Sequence, residues 1–203
     1  MAAPLGLLLA GGASRRLGRD KALLPAREGG TLLEHGIALL RGRCAHLWLA
    51  AGERSLPIPD GVVALTDDSA MVGPVAALAT ALDAWADLPE AEQGGMLILA
   101  VDQPDLDGAQ LDRLLESPDA RLAADQEGRL GLPAWLPPAA LARLRELPRP
   151  LSPLMATLQS LAPEAYELGR GPLGLPPGFN LTTPHDLERY QGCGPQVSDE
   201  PSC

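Results

Sequence analysis

The sequence is poor in aromatic and in basic residues. Aromatic side chains make up only 3% of the 203 residues, so a hydrophobic core has to be built mainly from leucine, alanine and valine. Lysine and arginine together number 16, against 26 aspartates and glutamates, which gives a formal net charge of -10. Nucleic acids and anionic membrane surfaces are bound by basic surfaces. The composition therefore argues against both as partners.

Cysteines and long apolar runs are also scarce. The three cysteines, Cys44, Cys193 and Cys203, have no metal-ligand spacing, and their low number favours a reducing compartment. No apolar run approaches the roughly 18 residues of a membrane-spanning helix. The apolar start leads directly into glycines, so we interpret it as a first strand rather than a signal peptide. We therefore expect a cytoplasmic protein.

Short apolar runs alternate with segments of helical period along the first half of the chain. The apolar runs predict strands at residues 5–10, 46–51, 62–65 and 96–101. Helices are predicted at residues 32–40, 74–88 and 106–115, with Thr31 and Asp107 as N-caps of the first and the third. Strands that alternate with helices favour βαβ units around a mostly parallel sheet. The sequence therefore predicts an α/β fold, a single-domain Rossmann-like three-layer sandwich.

The second half of the chain is less regular. Residues 121–137 predict two strands around a turn at Glu127 and Gly128, and helices follow at residues 138–147 and 153–161. Short strands are expected at residues 162–168 and 179–181, before a last helix at 183–190 with Thr183 as its cap. The remaining residues are polar and patternless. We therefore expect one domain, residues 1–190, followed by a disordered tail, residues 191–203.

The segment after the first predicted strand, LAGGASRRLGRDK, combines glycines with positive charge. Arg15, Arg16, Arg19 and Lys21 fall within seven positions of an otherwise acidic chain. A glycine-rich turn after a strand lets backbone N–H groups approach phosphates, and a local basic cluster favours an anionic ligand. The pattern fits neither the Walker A loop GxxxxGK[ST] nor the dinucleotide fingerprint GxGxxG. The alternative is a plain turn with exposed arginines.

Asp102 directly follows the strongest buried-strand pattern in the chain, residues 96–101. Ligands of open parallel sheets bind at the carboxyl ends of the strands. A carboxylate at that place can hold Mg²⁺, which prefers oxygen ligands and keeps waters and phosphate oxygens in its shell. An N-cap role is the alternative, but Asp107 suits that role better. We therefore predict Asp102 as a magnesium ligand.

The composite pattern LAGGxSxRxGxDK resembles that of the molybdenum cofactor guanylyltransferases (MobA type), within a wider group of nucleotidyltransferases. The matching residues are Leu9, Ala10, Gly11, Gly12, Ser14, Arg16, Gly18, Asp20 and Lys21. The likeness continues through DDSAMVGPVAALATAL, LILAVDQPDL and FNLTTPHDLERY, and covers about residues 5–190. It implies a MobA-like NTP transferase domain with a nucleotide-diphospho-sugar transferase-like fold.

The resemblance also implies the residues of the site. The nucleotide-binding residues would be Leu9, Ala10, Gly11, Gly12, Ser14, Lys21, Asp68, Gly73 and Asp102. Asp67 is the close alternative to Asp68, and Gly73 is expected to allow close backbone approach. The catalytic residues would be Lys21, Arg16 and Asp102. Arginine neutralises phosphates as a bidentate fork and lysine as a point charge, while Asp102 would hold Mg²⁺.

The implied reaction is transfer of GMP from GTP to the phosphate of molybdenum-bound molybdopterin, with release of pyrophosphate. The partners would be GTP, molybdenum-bound molybdopterin and proteins that deliver or receive the cofactor. The chain departs from the family pattern at Ala51, Ala77 and Thr182, which stand where an asparagine, a glycine and an asparagine are usual. A molybdopterin cytidylyltransferase, an enzyme with another phosphorylated acceptor, and a nucleotide-binding protein without turnover therefore stay open.

The acceptor side of the likeness is weaker than the nucleotide side. Leu132-Pro133 stands where the family commonly has a His-Pro pair. Arg129 and residues 149–158 are candidates for contact with the pterin. We therefore expect the nucleotide side of the site to follow the family pattern more closely than the acceptor side.

Overall fold

The computed structural model describes residues 2–11, 17–52, 54–66 and 73–193. Its strands are β1 (Leu5–Leu9), β2 (His46–Ala50), β3 (Val62–Leu65), β4 (Met96–Ala100), β5 (Arg121–Ala124), β6 (Leu130–Leu136) and β7 (Glu164–Glu167). They form one sheet in the order β3-β2-β1-β4-β6-β5-β7. β6 runs antiparallel to its neighbours β4 and β5, whereas the other pairings are parallel. The mostly parallel sheet that the sequence predicts is confirmed.

Helices cover both faces of the sheet. They are α1 (Leu32–Arg41), α2 (Pro74–Ala86), α3 (Gly108–Leu115), α4 (Pro138–Arg145), α5 (Leu154–Gln159) and α6 (Pro184–Gly192). Buried side chains of α2, α4 and α5 share one apolar cluster with the sheet, and those of α1, α3 and α6 share a second cluster on the other face. The three-layer sandwich is thus confirmed. Within the described ranges, none of the helices combines the length and the apolar character that crossing a bilayer requires.

The burial of the central strand β1 explains why its residues form a continuous apolar run. All five of its residues are buried. Leu7 and Leu9 face the cluster that contains α2, whereas Leu8 faces the one that contains α1. Gly6 leaves room for α1, because an added Cβ would lie about 3.0 Å from the Leu40 side chain. Burial on both faces removes the alternation that a half-exposed strand would show.

Three of the helices begin at capping boxes, in which the N-cap and the third helical residue bond each other's backbone N–H. The pairs are Thr31 with Glu34, Asp107 with Gln110, and Thr183 with Asp186. The sequence predicts all three N-caps. These local contacts determine where α1, α3 and α6 start, at the edge of the sheet where the parallel strands end.

One prediction for the last part of the chain is wrong. Residues 179–181 do not form a strand, because the Leu181 N–H donates to the Asp102 carbonyl at 2.8 Å and the segment crosses the end of the sheet. Helix α6 ends at Gly192, two residues beyond the predicted helix end at residue 190, and the disordered tail stays a prediction. Residues 194–203 lie outside the described residues.

The order of the strands places a crevice at one point of the sheet. From β1 the chain moves to β2 and β3 on one side, and then returns to form β4 on the other side of β1. The connections leaving β1 and β4 therefore diverge where these strands end. Open α/β sheets bind ligands at such a switch point, outside the carboxyl ends of the strands.

Candidate active site

Lys21 and Asp102, which are 81 residues apart in the sequence, form an ion pair at this switch point. Lys21 Nζ lies 2.8 Å from Asp102 Oδ2, and the two side chains are 17% and 23% exposed. Lys21 begins a 3₁₀ turn whose N-cap, Asp20, accepts a hydrogen bond from the Ala22 N–H at 3.0 Å. The fold thus brings together the predicted phosphate-binding cation and the predicted metal ligand.

Lys21 is also the only lysine in the sequence, since the other 15 basic residues are arginines. A guanidinium is a planar fork, whereas an ammonium is a compact point charge with three rotatable donors. The single lysine of an arginine-rich chain thus lies where the sequence predicts a phosphate-binding cation. The phosphate-binding role of Lys21 stays a prediction.

Contacts from two distant segments hold the backbone around Asp102. The Asp102 carbonyl accepts the hydrogen bond from Leu181. The next residue, Gln103, is 5% exposed, and its side-chain amide donates to the Leu132 carbonyl at 2.5 Å. The carboxylate of Asp102 therefore projects from a well-anchored backbone while its oxygens stay partly accessible.

Leu9, Ala10 and Gly11 lie where β1 ends, beside this pair. The Leu9 carbonyl accepts a hydrogen bond from the Val101 N–H at 3.0 Å, and the Ala10 N–H donates to the Ala50 carbonyl at 2.9 Å. The end of β1 is thus tied to both neighbouring strands. Gly11 is exposed, and a Cβ added to it would meet no described atom closer than 3.7 Å. Packing among the described residues therefore gives no reason for a glycine at position 11.

Gly73 is the N-cap of α2, with a φ of 82°. This left-handed region favours glycine, and an added Cβ would meet no described atom within 4 Å. The glycine is explained by the conformation that leads into the helix, and close approach of a ligand stays a prediction. Four other predicted residues, Gly12, Ser14, Arg16 and Asp68, lie outside the described residues, as does the alternative Asp67.

Arg54, which follows β2, belongs to the site but was not predicted. Its Nη1 donates to Asp20 Oδ1 at 2.7 Å, and its Nη2 donates to the Ala10 carbonyl. Arg54 therefore joins the end of β1 to the turn that carries Lys21. The only sequence signal is a basic residue soon after the carboxyl end of a strand, which does not reveal its partners.

A second carboxylate of the same loop, Asp105, has a structural role. It is 7% exposed, and its two oxygens accept hydrogen bonds from the backbone N–H groups of Leu173 at 2.5 Å and Leu175 at 2.9 Å. Burial raises the pKa of Asp105, and hydrogen bonds from the backbone of Leu173, Leu175 and Gly171 oppose the rise. Asp105 thus holds residues 171–175 against the loop that follows β4.

On the predicted acceptor side, the candidate residue Arg129 is paired with carboxylates of its own turn. Arg129 is bound to Asp125 at 2.7 Å and to Glu127 at 3.0 Å within the turn between β5 and β6. Within residues 2–11, 17–52, 54–66 and 73–193, no group of three or more histidine, cysteine, aspartate or glutamate residues could hold a metal ion. A cavity of about 750 Å³ near His35 and Pro104 has none of the predicted site residues in its described lining.

The profile of the family described as "MobA-like NTP transferase domain" matches residues 6–163. The chain belongs to this family. A relative from Rhodopirellula baltica named "Probable molybdenum cofactor guanylyltransferase" is 38% identical over 131 residues, which cover 60% of this chain and 61% of that protein. The chain thus spans about three fifths of the length of this curated relative.

Solved structures of related proteins share the fold of this MobA-like domain. Molybdopterin-guanine dinucleotide biosynthesis protein A from Archaeoglobus fulgidus has a TM-score of 0.64 at 18% identity, over 93% of this chain and 97% of that one. Rv0371C from Mycobacterium tuberculosis, in a complex with manganese, has a TM-score of 0.59 at 22% identity, over 95% and 97% of the two chains. The nucleotidyltransferase-like fold is therefore confirmed.

Proposed function

We propose that this MobA-like protein is a nucleotidyltransferase of molybdenum cofactor biosynthesis, which transfers GMP from GTP to the phosphate of molybdenum-bound molybdopterin. The observation that carries the proposal is the Lys21–Asp102 pair, 2.8 Å apart at the switch point of the sheet. The name of the Rhodopirellula baltica relative supports guanine as the base and the molybdenum cofactor as the product.

The reaction requires no protein nucleophile. A phosphate oxygen of the pterin forms a bond to the α-phosphorus of GTP, and the bond from that phosphorus to the oxygen bridging to the β-phosphate breaks. Pyrophosphate leaves with the electron pair of the broken bond. Because both reactants are anions, the protein has to align them and to stabilise the negative charge on the leaving group.

Asp102 fits a divalent cation by the chemistry of its donor and by its position. Its carboxylate is partly exposed at the end of β4, within reach of Lys21. Mg²⁺ is usually bound through one or two carboxylates together with waters and substrate phosphates. When bound, Mg²⁺ would neutralise charge on the phosphate oxygens. The manganese complex of Rv0371C supports a divalent metal, and we propose Mg²⁺.

Lys21 would bind the phosphates. In the structure its ammonium group is paired with Asp102. With a triphosphate bound, the Lys21 ammonium would pair with the phosphate oxygens and the Asp102 carboxylate would hold the divalent metal, so that each charge would keep a counter-charge. The capped turn below Lys21 keeps the base of the side chain in place.

The departures from the family pattern bear on the alternatives. Ala77 is a residue of α2 that is 3% exposed and packs in the apolar cluster between this helix and the sheet. The N–H of Thr182 donates to Asp186 at 3.0 Å, so this residue takes part in the start of α6. Both positions have roles in packing or capping. Loss of turnover therefore does not follow from them, and catalysis stays the favoured hypothesis.

The test is release of pyrophosphate by the purified chain with Mg²⁺ and molybdenum-loaded molybdopterin, with GTP, CTP and ATP in separate reactions. We expect release and a guanine dinucleotide product with GTP. Preference for CTP would identify the cytidylyltransferase alternative, and binding of GTP without pyrophosphate would identify a nucleotide-binding protein without turnover.

Two variants make this test specific to the site. Asp102→Asn removes the charge of the predicted metal ligand and should abolish product formation. Asp112→Asn removes a carboxylate that is paired with Arg43 at 2.7 Å, and it should leave product formation unchanged. Equal rates for wild type and Asp102→Asn would rule out the proposed mechanism.

A further inference from the structure

The guanidinium of Arg54 spans the two ends of the segment that leads from β1 to Lys21. At the first end it donates from Nη2 to the Ala10 carbonyl, and at the other end from Nη1 to Asp20 Oδ1 at 2.7 Å. Its side chain is 21% exposed, so these contacts are partly shielded from water. A single side chain thus bridges residue 10 and residue 20.

The contact with Asp20 extends to Lys21. Asp20 Oδ1 accepts from both Arg54 and the Ala22 N–H, so the atom that caps the turn is the same atom that the guanidinium holds. Lys21 begins this turn and reaches Asp102. Arg54, Asp20, Lys21 and Asp102 therefore form one continuous series of contacts from the end of β2 to the end of β4.

Stability alone is a weak reason for this arrangement. Arg54 Nε is buried and has no hydrogen-bond partner among the described residues, which costs free energy. Shielded ion pairs often contribute little net stability, because desolvation offsets the attraction between the charges. The Arg54 side chain connects the loop after β2 to both ends of the segment between β1 and Lys21.

We propose that Arg54 is a positioning residue for the triphosphate: it holds the segment leaving β1 and, through Asp20, the turn that presents Lys21. This inference rests on the proposed function, because it takes these elements to be the triphosphate site. Arg54 acts on the phosphates through other residues. Its loss should therefore weaken binding of every triphosphate by the same factor and leave the preference between bases unchanged.

Lysine cannot replace arginine in this role. The fork of Arg54 reaches a carboxylate and a carbonyl at the same time, whereas an ammonium is a single point charge on a flexible stem. Arg54→Lys should keep the positive charge but lose one of the two hydrogen bonds, either that to Asp20 or that to the Ala10 carbonyl. An intermediate affinity for this variant would separate the effect of geometry from the effect of charge.

Arg43 offers a matched control. It is 17% exposed, binds the Asp112 carboxylate at 2.7 Å and 3.0 Å, and donates to the Leu39 carbonyl at 2.9 Å. It thus makes the same kinds of contact as Arg54, but beyond the C-terminal end of α1. Arg43→Ala removes a comparable arginine without touching the segment between β1 and Lys21.

The experiment is titration calorimetry of Mg²⁺–GTP, Mg²⁺–CTP and Mg²⁺–tripolyphosphate with wild type, Arg54→Ala, Arg54→Lys, Asp20→Asn and Arg43→Ala, together with the melting temperature of each. We expect Arg54→Ala to weaken the binding of GTP and of tripolyphosphate by the same factor, about tenfold or more, because small displacements of the binding groups lower the affinity. We expect the affinity of Arg54→Lys to lie between those of wild type and Arg54→Ala, and the affinity of Arg43→Ala to equal that of wild type.

The outcomes separate the two proposals. If wild type binds Mg²⁺–GTP and Arg54→Ala binds it equally well, the role of Arg54 is wrong and the proposed function stands. If Arg43→Ala loses as much affinity as Arg54→Ala, the effect is general destabilisation, and the role of Arg54 is again wrong. If wild type binds neither GTP nor tripolyphosphate, the proposed function fails, and the inference fails with it. If Arg54→Ala does not fold, unchanged affinity in both Arg54→Lys and Asp20→Asn overturns the inference.

Discussion

The two aspartates of the loop after β4 are three positions apart and are used in opposite ways. Asp102 is partly exposed and faces the ammonium of Lys21, whereas Asp105 is 7% exposed and accepts only backbone N–H groups in the contacts described. The same contrast holds for the regions around them. Toward β1 and β2, charged side chains connect loops, and their charged atoms stay partly accessible to solvent. Toward residues 171–175, the oxygens of Asp105 accept hydrogen bonds from backbone N–H groups.

The difference indicates how one edge of the sheet can hold both function and stability. A carboxylate that accepts two backbone hydrogen bonds in a buried place has little capacity left for a ligand. A carboxylate in a partly exposed pair can exchange its partner, because the pair contributes little to stability. Substitutions in the first region should therefore alter activity, and substitutions in the second should alter the free energy of unfolding.

The largest effect is expected at Lys21. Lys21→Met should lower kcat/KM for GTP by about 10³-fold, because it removes a charge that stabilises the phosphates. Its melting temperature should stay within about 2 °C of wild type, because desolvation offsets much of the attraction in a partly shielded pair and Asp102 can still contact water. Pyrophosphate release and thermal unfolding measure the two quantities. A large loss of stability with intact kcat/KM would reverse the assignment.

Because Lys21 is the only lysine, the same prediction has a chemical test. An amine-directed reagent should modify Lys21 in the free protein, and Mg²⁺–GTP should protect it. Peptide mass mapping separates this label from that on the N-terminal amine. Labelling of Lys21 at the same rate with and without nucleotide would contradict a phosphate-binding role.

The next largest effect is expected at Gly171, on the other side of the comparison. A Cβ at this position would overlap the Asp105 carbonyl oxygen, a backbone atom that cannot move without the loop. Gly171→Ala should lower the free energy of unfolding by about 3 kcal/mol, at the upper end of the cost of overpacking. Denaturant unfolding measures the change. A stability equal to that of wild type would show that residues 171–175 are not held as tightly as the contacts indicate.

Asp105→Asn should lower the free energy of unfolding by about 2 kcal/mol. An amide has one acceptor oxygen where the carboxylate has two, so one of the two backbone N–H groups would face an N–H donor. Binding of Mg²⁺–GTP should be unchanged. Denaturant unfolding and calorimetry check the two statements, and weaker nucleotide binding at unchanged stability would contradict the structural role.

The same substitution predicts a dependence on pH. Burial raises the pKa of Asp105, so the folded state keeps this proton to higher pH than the unfolded chain does. The stability that this group contributes is therefore complete below the unfolded pKa of about 3.9, and it is lost as the pH rises through the folded pKa. The unfolding free energy of wild type, relative to that of Asp105→Asn, should fall over this range. A rise would contradict the direction of the shift.

The smallest effect is expected at Gly11. Gly11→Ala should weaken binding of Mg²⁺–GTP by about tenfold if the nucleotide approaches the backbone closely at this glycine. Its stability should stay within about 0.5 kcal/mol of wild type, because the added Cβ meets no described atom closer than 3.7 Å. Calorimetry and denaturant unfolding measure these. Together with Gly171→Ala, this variant distinguishes a glycine kept for a ligand from one kept for packing.

Several parts of the structure could be predicted because their causes are local. The apolar run of β1, the capping pair of Thr31 and Glu34, and the N-cap Asp107 each depend on residues a few positions apart. Lys21 and Asp102 could be named individually, since one follows a glycine-rich segment and the other follows a buried strand. Their contact depends on β1 and β4 being neighbours, which no short pattern contains.

Arg54 and Asp105 show what could not be predicted. Arg54 lies 34 residues from Asp20 and 44 from Ala10, and Asp105 lies 68 residues from Leu173. In the sequence each is one charged residue in a loop. The wrong prediction of a strand at residues 179–181 has the same origin, because an apolar pair in a short run does not reveal that Leu181 bonds the Asp102 carbonyl.

The sequence by itself determined the elements of this protein: apolar spacing selects strands and helices, and capping residues select where helices begin, since both act over one or two turns of chain. Only the tertiary structure decided which polar groups meet. A hydrogen bond or an ion pair requires two atoms within a few ångströms, and for Arg54, Asp102 and Asp105 that proximity arises from the order of the strands.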